Sequence, residues 1–377
     1  MKIGILTFHN AHNYGAALQA YALKKYLIKK GFEVECINYI NKNIEEGYLF
    51  KRKNNIKIGG FRTTKKWIKR QIEISIGKKE YECRWKKFDS FIYNYLTRKD
   101  KFYNKKDESL NKYDIIICGS DQIWNNNLTN GFDDLYFANI KTKAKKIAYA
   151  ASIGKAKFNK EEEKKFLKLI KNFNYISVRE LNLKEYIEKN SQLKVNVVVD
   201  PTLLLEKEDY EPIFLKNRIE KEKYLLQYTM FEDKNIDKIA HAIAKENGLN
   251  IKEIRYSKNI LKKGTGQLLD VGVEEFLSYI NNAEYVVTNS YHGTIFSLLF
   301  NKNFYAVKNK GGNVRIENLL DLLNLEKRYI EKKEETDNQS FIDYDNVERK
   351  LIELKKESKS FLDRAINSNN GGDKTCI

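Results

Sequence analysis

Proline is almost missing from this chain of 377 residues: only Pro201 and Pro212 occur, and they stand close together. So placed, they mark a boundary between folded units, and the length predicts about two domains. Cysteine is sparse too. Cys36, Cys83, Cys118 and Cys376 lie far apart with no Cys-x-x-Cys pair, which argues against a disulfide scaffold and a structural zinc site. Cys36 and Cys118 sit in apolar runs and read as buried thiols. No apolar run approaches the ~20 residues needed to span a bilayer. Ile3–Phe8 is too short, and too broken by Gly4, for a secretory leader. These absences predict a cytoplasmic protein.

Positive charge is plentiful. Lys and Arg number 69 against 51 Asp and Glu, a net charge of +18. The excess is local: residues 51–106 hold 19 Lys and Arg against 5 Asp and Glu, or +14. Such a segment suits nucleic acid, an anionic membrane or acidic substrates. Its apolar residues recur at helical spacing, Ile68, Ile72 and Ile76, then Trp85, Phe88, Ile92 and Tyr95, with Lys65, Lys66, Lys69, Arg70, Lys86 and Lys87 off those stripes. No recognised nucleic-acid module accompanies the charge, so nucleic acid is not the expected partner.

The remainder alternates strand and helix. Lys2–Phe8 and Phe32–Tyr39 read as strands around a helix over Ala16–Lys30 that Gly31 stops. Strands follow at Asp114–Cys118, Lys146–Ser152, Tyr175–Val178 and Val195–Val199. After Pro212 the pattern resumes at Tyr224–Met230, Ile251–Tyr256, Tyr285–Val287 and Phe304–Val307, with helices between. The expected fold is α/β: two Rossmann-like domains whose parallel sheets face each other across a cleft, where ligands of such sheets bind. The expected division is residues 1–200 with a basic helical insertion at about 44–110, residues 201–343, a final helix over 344–366 packing back towards the N-terminal domain, and a disordered tail at 367–377.

Five strand ends or loops carry candidate chemistry. His9–Gly15 allows a tight turn close to a ligand; His9 and His12 are three apart, but no third metal ligand is near. In Gly119–Asn125, Asp121 suits a hydrogen bond from a sugar hydroxyl or a general base, or else a helix cap; Trp124 suits stacking on a sugar ring, or else the core. Arg179 is a guanidinium leaving a strand, though Arg179–Glu180 also reads as an ordinary surface pair. In Asn289–Gly293 a lone histidine, His292, precedes a glycine where a helix is expected to open at Thr294, the geometry of an anion site. Lys308 and Arg315 flank a Gly311-Gly312-Asn313 turn and add cations to that half.

NYGAALQAYAL at 13–23, GSDQIWN at 119–125, SVRE at 177–180, VVDPTLLL at 198–205 and SYHGTIFSLLF at 290–300 together resemble the polysaccharide pyruvyl transferase family, in order and spacing over roughly residues 1–325. The resemblance implies a GT-B-like pair of domains and transfer of pyruvate from phosphoenolpyruvate to a sugar of a cell-surface polysaccharide or its lipid-linked precursor. A glycosyltransferase using a nucleotide-sugar is the alternative on such a scaffold. The family's donor-binding Arg falls on Arg179 and its motif His on His292. Catalysis is therefore expected from His292 and Asp121. Donor binding is expected from Arg179, Ser290, Gly293, Arg315 and Lys308, and acceptor binding from Asn13, Tyr14, Gly15, Gln122 and Trp124. Neither metal nor cofactor is expected, phosphoenolpyruvate being a co-substrate. Better-known members carry Arg-Leu-His or Arg-Met-His where this chain has Ser290-Tyr291-His292. Another cation compensates, or the donor is held differently, or the donor is not phosphoenolpyruvate. A polyprenyl-pyrophosphate-linked acceptor would put the enzyme on the inner face of the cell membrane, docked through the basic 51–106 segment.

Overall fold

A computed structural model of the chain describes residues 1–44, 75–97, 104, 106–154, 157–214, 222–230, 233–256, 266–308, 313–336 and 341–368. The basic-segment residues Lys65, Lys66, Trp67, Ile68, Lys69, Arg70 and Ile72, the glycines Gly311 and Gly312, and the expected tail from 369 onwards lie outside the described residues. Among the described residues the chain forms two compact units. The first takes residues 1–44, 92–205 and 348–368, and the second takes 75–91 and 206–347.

The first unit is built on a parallel sheet of β1 (Lys2–Leu6), β2 (Glu33–Cys36), β3 (Ile115–Asp121), β4 (Lys145–Ala151), β5 (Tyr175–Val178) and β6 (Asn196–Val197), in the order β2-β1-β3-β4-β5-β6. The helix Tyr14–Lys29 follows β1. Its first turns are buried on all sides because Gly15, Ala16, Ala17 and Ala20 are small enough to pack against neighbouring backbone. Phe8, Ile116, Trp124, Phe137 and Phe166 fill the core. Burial pushes the Cys36 thiol up to about 11 and the Cys118 thiol up to about 12, so both stay protonated and inert.

The second unit repeats the plan with β7 (Tyr224–Thr229), β8 (Asn250–Arg255), β9 (Gly266–Leu268), β10 (Tyr285–Thr288), β11 (Asn303–Val307) and β12 (Tyr329–Ile330). All pairings are parallel, in the order β12-β11-β10-β7-β8-β9. The expected α/β architecture of two parallel sheets is what the chain adopts. The sequence pattern missed β9 and β12, of three and two residues, because alternation cannot register over so short a span. Pro212, expected in a boundary, lies inside the helix Lys207–Phe214.

The helix Lys78–Phe91, expected as part of an N-terminal insertion, belongs to the second unit. Its Arg84 donates to the carbonyls of Arg255 (3.0 Å) and Tyr256 (3.2 Å) while lying over the rings of Tyr81 and Tyr256. Lys87 donates to both oxygens of Glu275, at 2.7 and 2.9 Å. Lys87, expected off the apolar stripe, is thus used in packing, as is Arg84. The final helix, Tyr344–Asn367, is tied to the first unit near its end, where Lys145 Nζ donates to the carbonyls of Ala365 (3.1 Å) and Ile366 (2.8 Å). A lysine there meets the negative end of the helix dipole. Among the described residues no helix is long and apolar enough to cross a membrane.

Candidate active site

In open parallel sheets a ligand crevice forms outside the carboxyl ends of the strands where the order reverses. The first sheet reverses between β1 and β3, and the second between β7 and β10. Each unit places its candidate residues at its own reversal.

At the first reversal, Thr7 leaves β1 and its hydroxyl donates to the Ser120 carbonyl of β3 at 2.9 Å. Gln19, fully buried, donates to Thr7 Oγ1 (2.8 Å) and the Ala16 carbonyl (2.9 Å). The backbone here is unusual. Asp121 has φ 75 and Ala150 φ 49, and a Cβ at Gly119 would collide with the Tyr149 carbonyl. Left-handed non-glycine residues persist only where their surroundings hold them. At Ala150 the serines of neighbouring strands do so, Ser120 Oγ donating to its carbonyl and Ser177 Oγ accepting from its N–H; at Asp121 it is Arg179, whose Nη1 donates to Asp200 Oδ2 at 2.6 Å and Nη2 to Asp121 Oδ1 at 3.3 Å. Its side chain is 1% exposed, and that of Asp200 is 0% exposed. Asp200 also accepts from Thr202 N (3.0 Å) and Thr202 Oγ1 (2.7 Å).

Arg179 therefore faces two carboxylates of its own unit, and an anionic donor would compete with both. This changes the reading of Arg179 from donor ligand to the residue that orients Asp121. The surface-pair reading of Arg179–Glu180 also gives way: both residues are buried, and Ser152 Oγ donates to Glu180 Oε1 at 2.6 Å. Asp200, Ser152 and Gln19 were not singled out from sequence. Asp200 and Gln19 do fall within the VVDPTLLL and NYGAALQAYAL motifs, without a role being read there.

The acceptor-side residues separate. Trp124 is fully buried, stacked on Phe137 with centroids 5.5 Å apart, and its indole N–H donates to the Tyr136 carbonyl at 3.1 Å. It is a core residue with no face for a sugar, which corrects the stacking expectation. Asn13 Oδ1 caps the helix Tyr14–Lys29 by accepting from Ala16 N at 3.1 Å, and Tyr14 and Gly15 are buried in that helix. Gln122 Oε1 accepts from Asn125 Nδ2 at 3.0 Å. Asp121, at 14% side-chain exposure, keeps an accessible carboxylate. His9 is fully buried, with Nδ1 3.2 Å from the Thr7 carbonyl and Nε2 3.4 Å from Asn38 Oδ1; burial lowers its pKa.

At the second reversal, Asn289 Oδ1 accepts from Met230 N (2.8 Å), tying the end of β10 to the end of β7. The following helix is Tyr291–Leu299, so it opens three residues earlier than expected. Ser290 is the reason. Its Oγ accepts from Gly293 N at 3.3 Å, an N-cap, and Thr288 Oγ1 accepts from Ser290 N at 3.1 Å. His292 thus stands inside the first turn, not before it. Gly293 serves packing: a Cβ there would lie 2.5 Å from Thr288 Oγ1 and 3.0 Å from Tyr228 Cδ1. Ser290 and Gly293, expected to contact the donor, spend these groups on the helix start.

The cations of this half rest on tyrosines. Arg315, in the first turn of the helix Val314–Leu322, lies 5.3 Å from the Tyr291 ring centroid. Lys308, just past β11, lies 5.1 Å from that of Tyr329. The rings of Tyr291 and His292 meet at 5.3 Å and 76°. An imidazole at a helix start, with a guanidinium across the adjoining ring, can bind an anion and move a proton. The first reversal, rich in carboxylates, suits hydroxyl donors instead.

A family model for polysaccharide pyruvyl transferase matches residues 13–311. No curated protein matches the sequence. Among solved structures the chain is similar to S. aureus MnaA with UDP, at 12% identity and TM-score 0.48 over 99% of this chain and 92% of that one. It is similar to the UDP-GlcNAc 2-epimerase of Neisseria meningitidis bound to UDP-GlcNAc, at 12% and 0.45 over 98% and 95%. It is similar to the E. coli heptosyltransferase WaaC with ADP, at 11% and 0.39 over 94% and 100%.

Proposed function

The chain belongs to the polysaccharide pyruvyl transferase family, and from that premise we propose that it transfers pyruvate from phosphoenolpyruvate to a sugar of a cell-surface polysaccharide or its lipid-linked precursor. The observation that carries the reading is His292 in the first turn of a helix at a sheet reversal, with Arg315 lying over the ring of the adjoining Tyr291.

Phosphoenolpyruvate is a small, dense anion, and a helix start with Arg315 over the ring of its first residue offsets the carboxylate and phosphate, Lys308 of the same unit being the second candidate cation. Transfer begins with a proton delivered to the methylene carbon, which makes C2 electrophilic. One sugar hydroxyl adds to C2 and phosphate leaves with the C2–O bond electrons. A second hydroxyl then adds to C2, and the two protons it and the first hydroxyl release go to bases or to phosphate. His292 is the proton donor in this scheme, the side chain at the helix start able to act as a general acid. Asp121 accepts a hydrogen bond from an acceptor hydroxyl and is the candidate base. The excess of +14 over residues 51–106 supports docking on an anionic membrane, where a polyprenyl-linked acceptor resides.

Thermal-shift measurements with phosphoenolpyruvate and with UDP- and ADP-sugars test the donor. Stabilisation by phosphoenolpyruvate is expected. Stabilisation by nucleotide-sugars alone would favour glycosyl transfer and end this reading.

A further inference from the structure

Arg315 and His292 stand on different helices, so a donor held by both needs something to fix the long arginine side chain. We propose that Tyr291 is that positioning residue: its ring is the platform that sets the Arg315 guanidinium beside His292. The inference rests on the donor assignment above.

Both ends of the arrangement are fixed by backbone. Tyr291 is the first residue of its helix, 8% exposed, and the preceding turn is held by Ser290 Oγ and Thr288 Oγ1. Its ring therefore has little freedom. At the other end, Asn313 precedes the helix Val314–Leu322 and makes no side-chain cap bond. Its backbone N–H donates instead to the Tyr329 hydroxyl at 2.7 Å. Tyr329 thus anchors the root of Arg315, two residues on, and Tyr291 anchors its tip at 5.3 Å.

A tyrosine face attracts a guanidinium through its quadrupole. Stacking engages the plane of the guanidinium, whereas carboxylate and phosphate are bound by its N–H edge. The same contact that restrains the side chain is therefore compatible with anion binding. Restraint before binding removes an ordering cost that a solvated arginine would meet on each encounter. The 76° meeting of the Tyr291 and His292 rings makes one side chain the neighbour of both the cation and the proton donor.

The test is a double-mutant cycle on the full chain, read by calorimetric titration with phosphoenolpyruvate and separately with inorganic phosphate. Tyr291→Leu should weaken anion binding about tenfold, and Tyr291→Phe, which keeps the face, should stay within about twofold. In the Arg315→Gln background, Tyr291→Leu should add nothing. Should Tyr291→Leu fail to fold, mono- to pentafluorinated phenylalanine at 291 keeps the shape while emptying the face, and affinity should fall stepwise. Additive effects in the cycle, or no response to fluorination, would overturn the platform. If phosphate binding obeys the cycle while phosphoenolpyruvate fails to bind, the donor assignment falls and the platform stands. If neither anion binds the parent protein, both fall.

Discussion

The two sheet reversals are built alike and charged oppositely. In the first unit a buried arginine, Arg179, lies between Asp200 and Asp121. In the second, Lys308 and Arg315 lie on tyrosine rings. A guanidinium held by carboxylates has its N–H edge engaged, whereas one laid on an aromatic face is held by its plane. One plan of sheet thus yields a site that shapes a carboxylate and a site that gathers cations. What a strand end does is decided by the partners its side chains meet, not by the fold.

The contrast breaks most sharply at His292. His292→Ala should lower pyruvyl transfer by about 10²–10⁴-fold, the usual range for a lost proton donor, while the urea midpoint stays near that of the parent. Transfer at a near-normal rate would remove His292 from the chemistry. Arg179→Met should do the opposite and act first on the fold. Stranding Asp200 without its cation should cost about 3–5 kcal/mol in urea unfolding. A variant as stable as the parent would mean the buried pair is not the strut described here. The smallest effect concerns His9. Burial lowers its folded pKa below the ordinary 6.5, so the unfolded chain takes up the proton first as pH falls. The associated stability is complete above about pH 6.5 and declines as pH drops through the folded value. His9→Gln should flatten that acid-side decline, and an unchanged slope would point to other groups.

The alternation of strands and helices was legible because strands of four to seven residues and long apolar helices leave clear periods. The pairing of Asp200 with Arg179 was not, since 21 residues separate them and nothing local announces the bond. Trp124 illustrates the converse. Its place in the polar GSDQIWN stretch made a sugar platform plausible, yet its indole N–H is used by the Tyr136 carbonyl and its faces by phenylalanines. The early start of the His292 helix was readable in principle. Ser290 followed by a glycine at the N3 position is a capping arrangement, but the apolar run beginning at Ile295 drew the predicted start too far along the chain.

Thr288 Oγ1 donates to the Tyr228 carbonyl at 2.9 Å and accepts from Ser290 N, so it cannot retreat from a Cβ at position 293. Thr288, Ser290 and Gly293 are consequently poor sites for gradual change: a substitution at any of the three disturbs strand, cap and helix start together. Lys308 and Arg315 hang from separate elements and carry no such burden. Laboratory evolution towards a different anionic donor should therefore accumulate its first tolerated changes at those two cations and at Tyr329, with Thr288, Ser290, His292 and Gly293 inherited together.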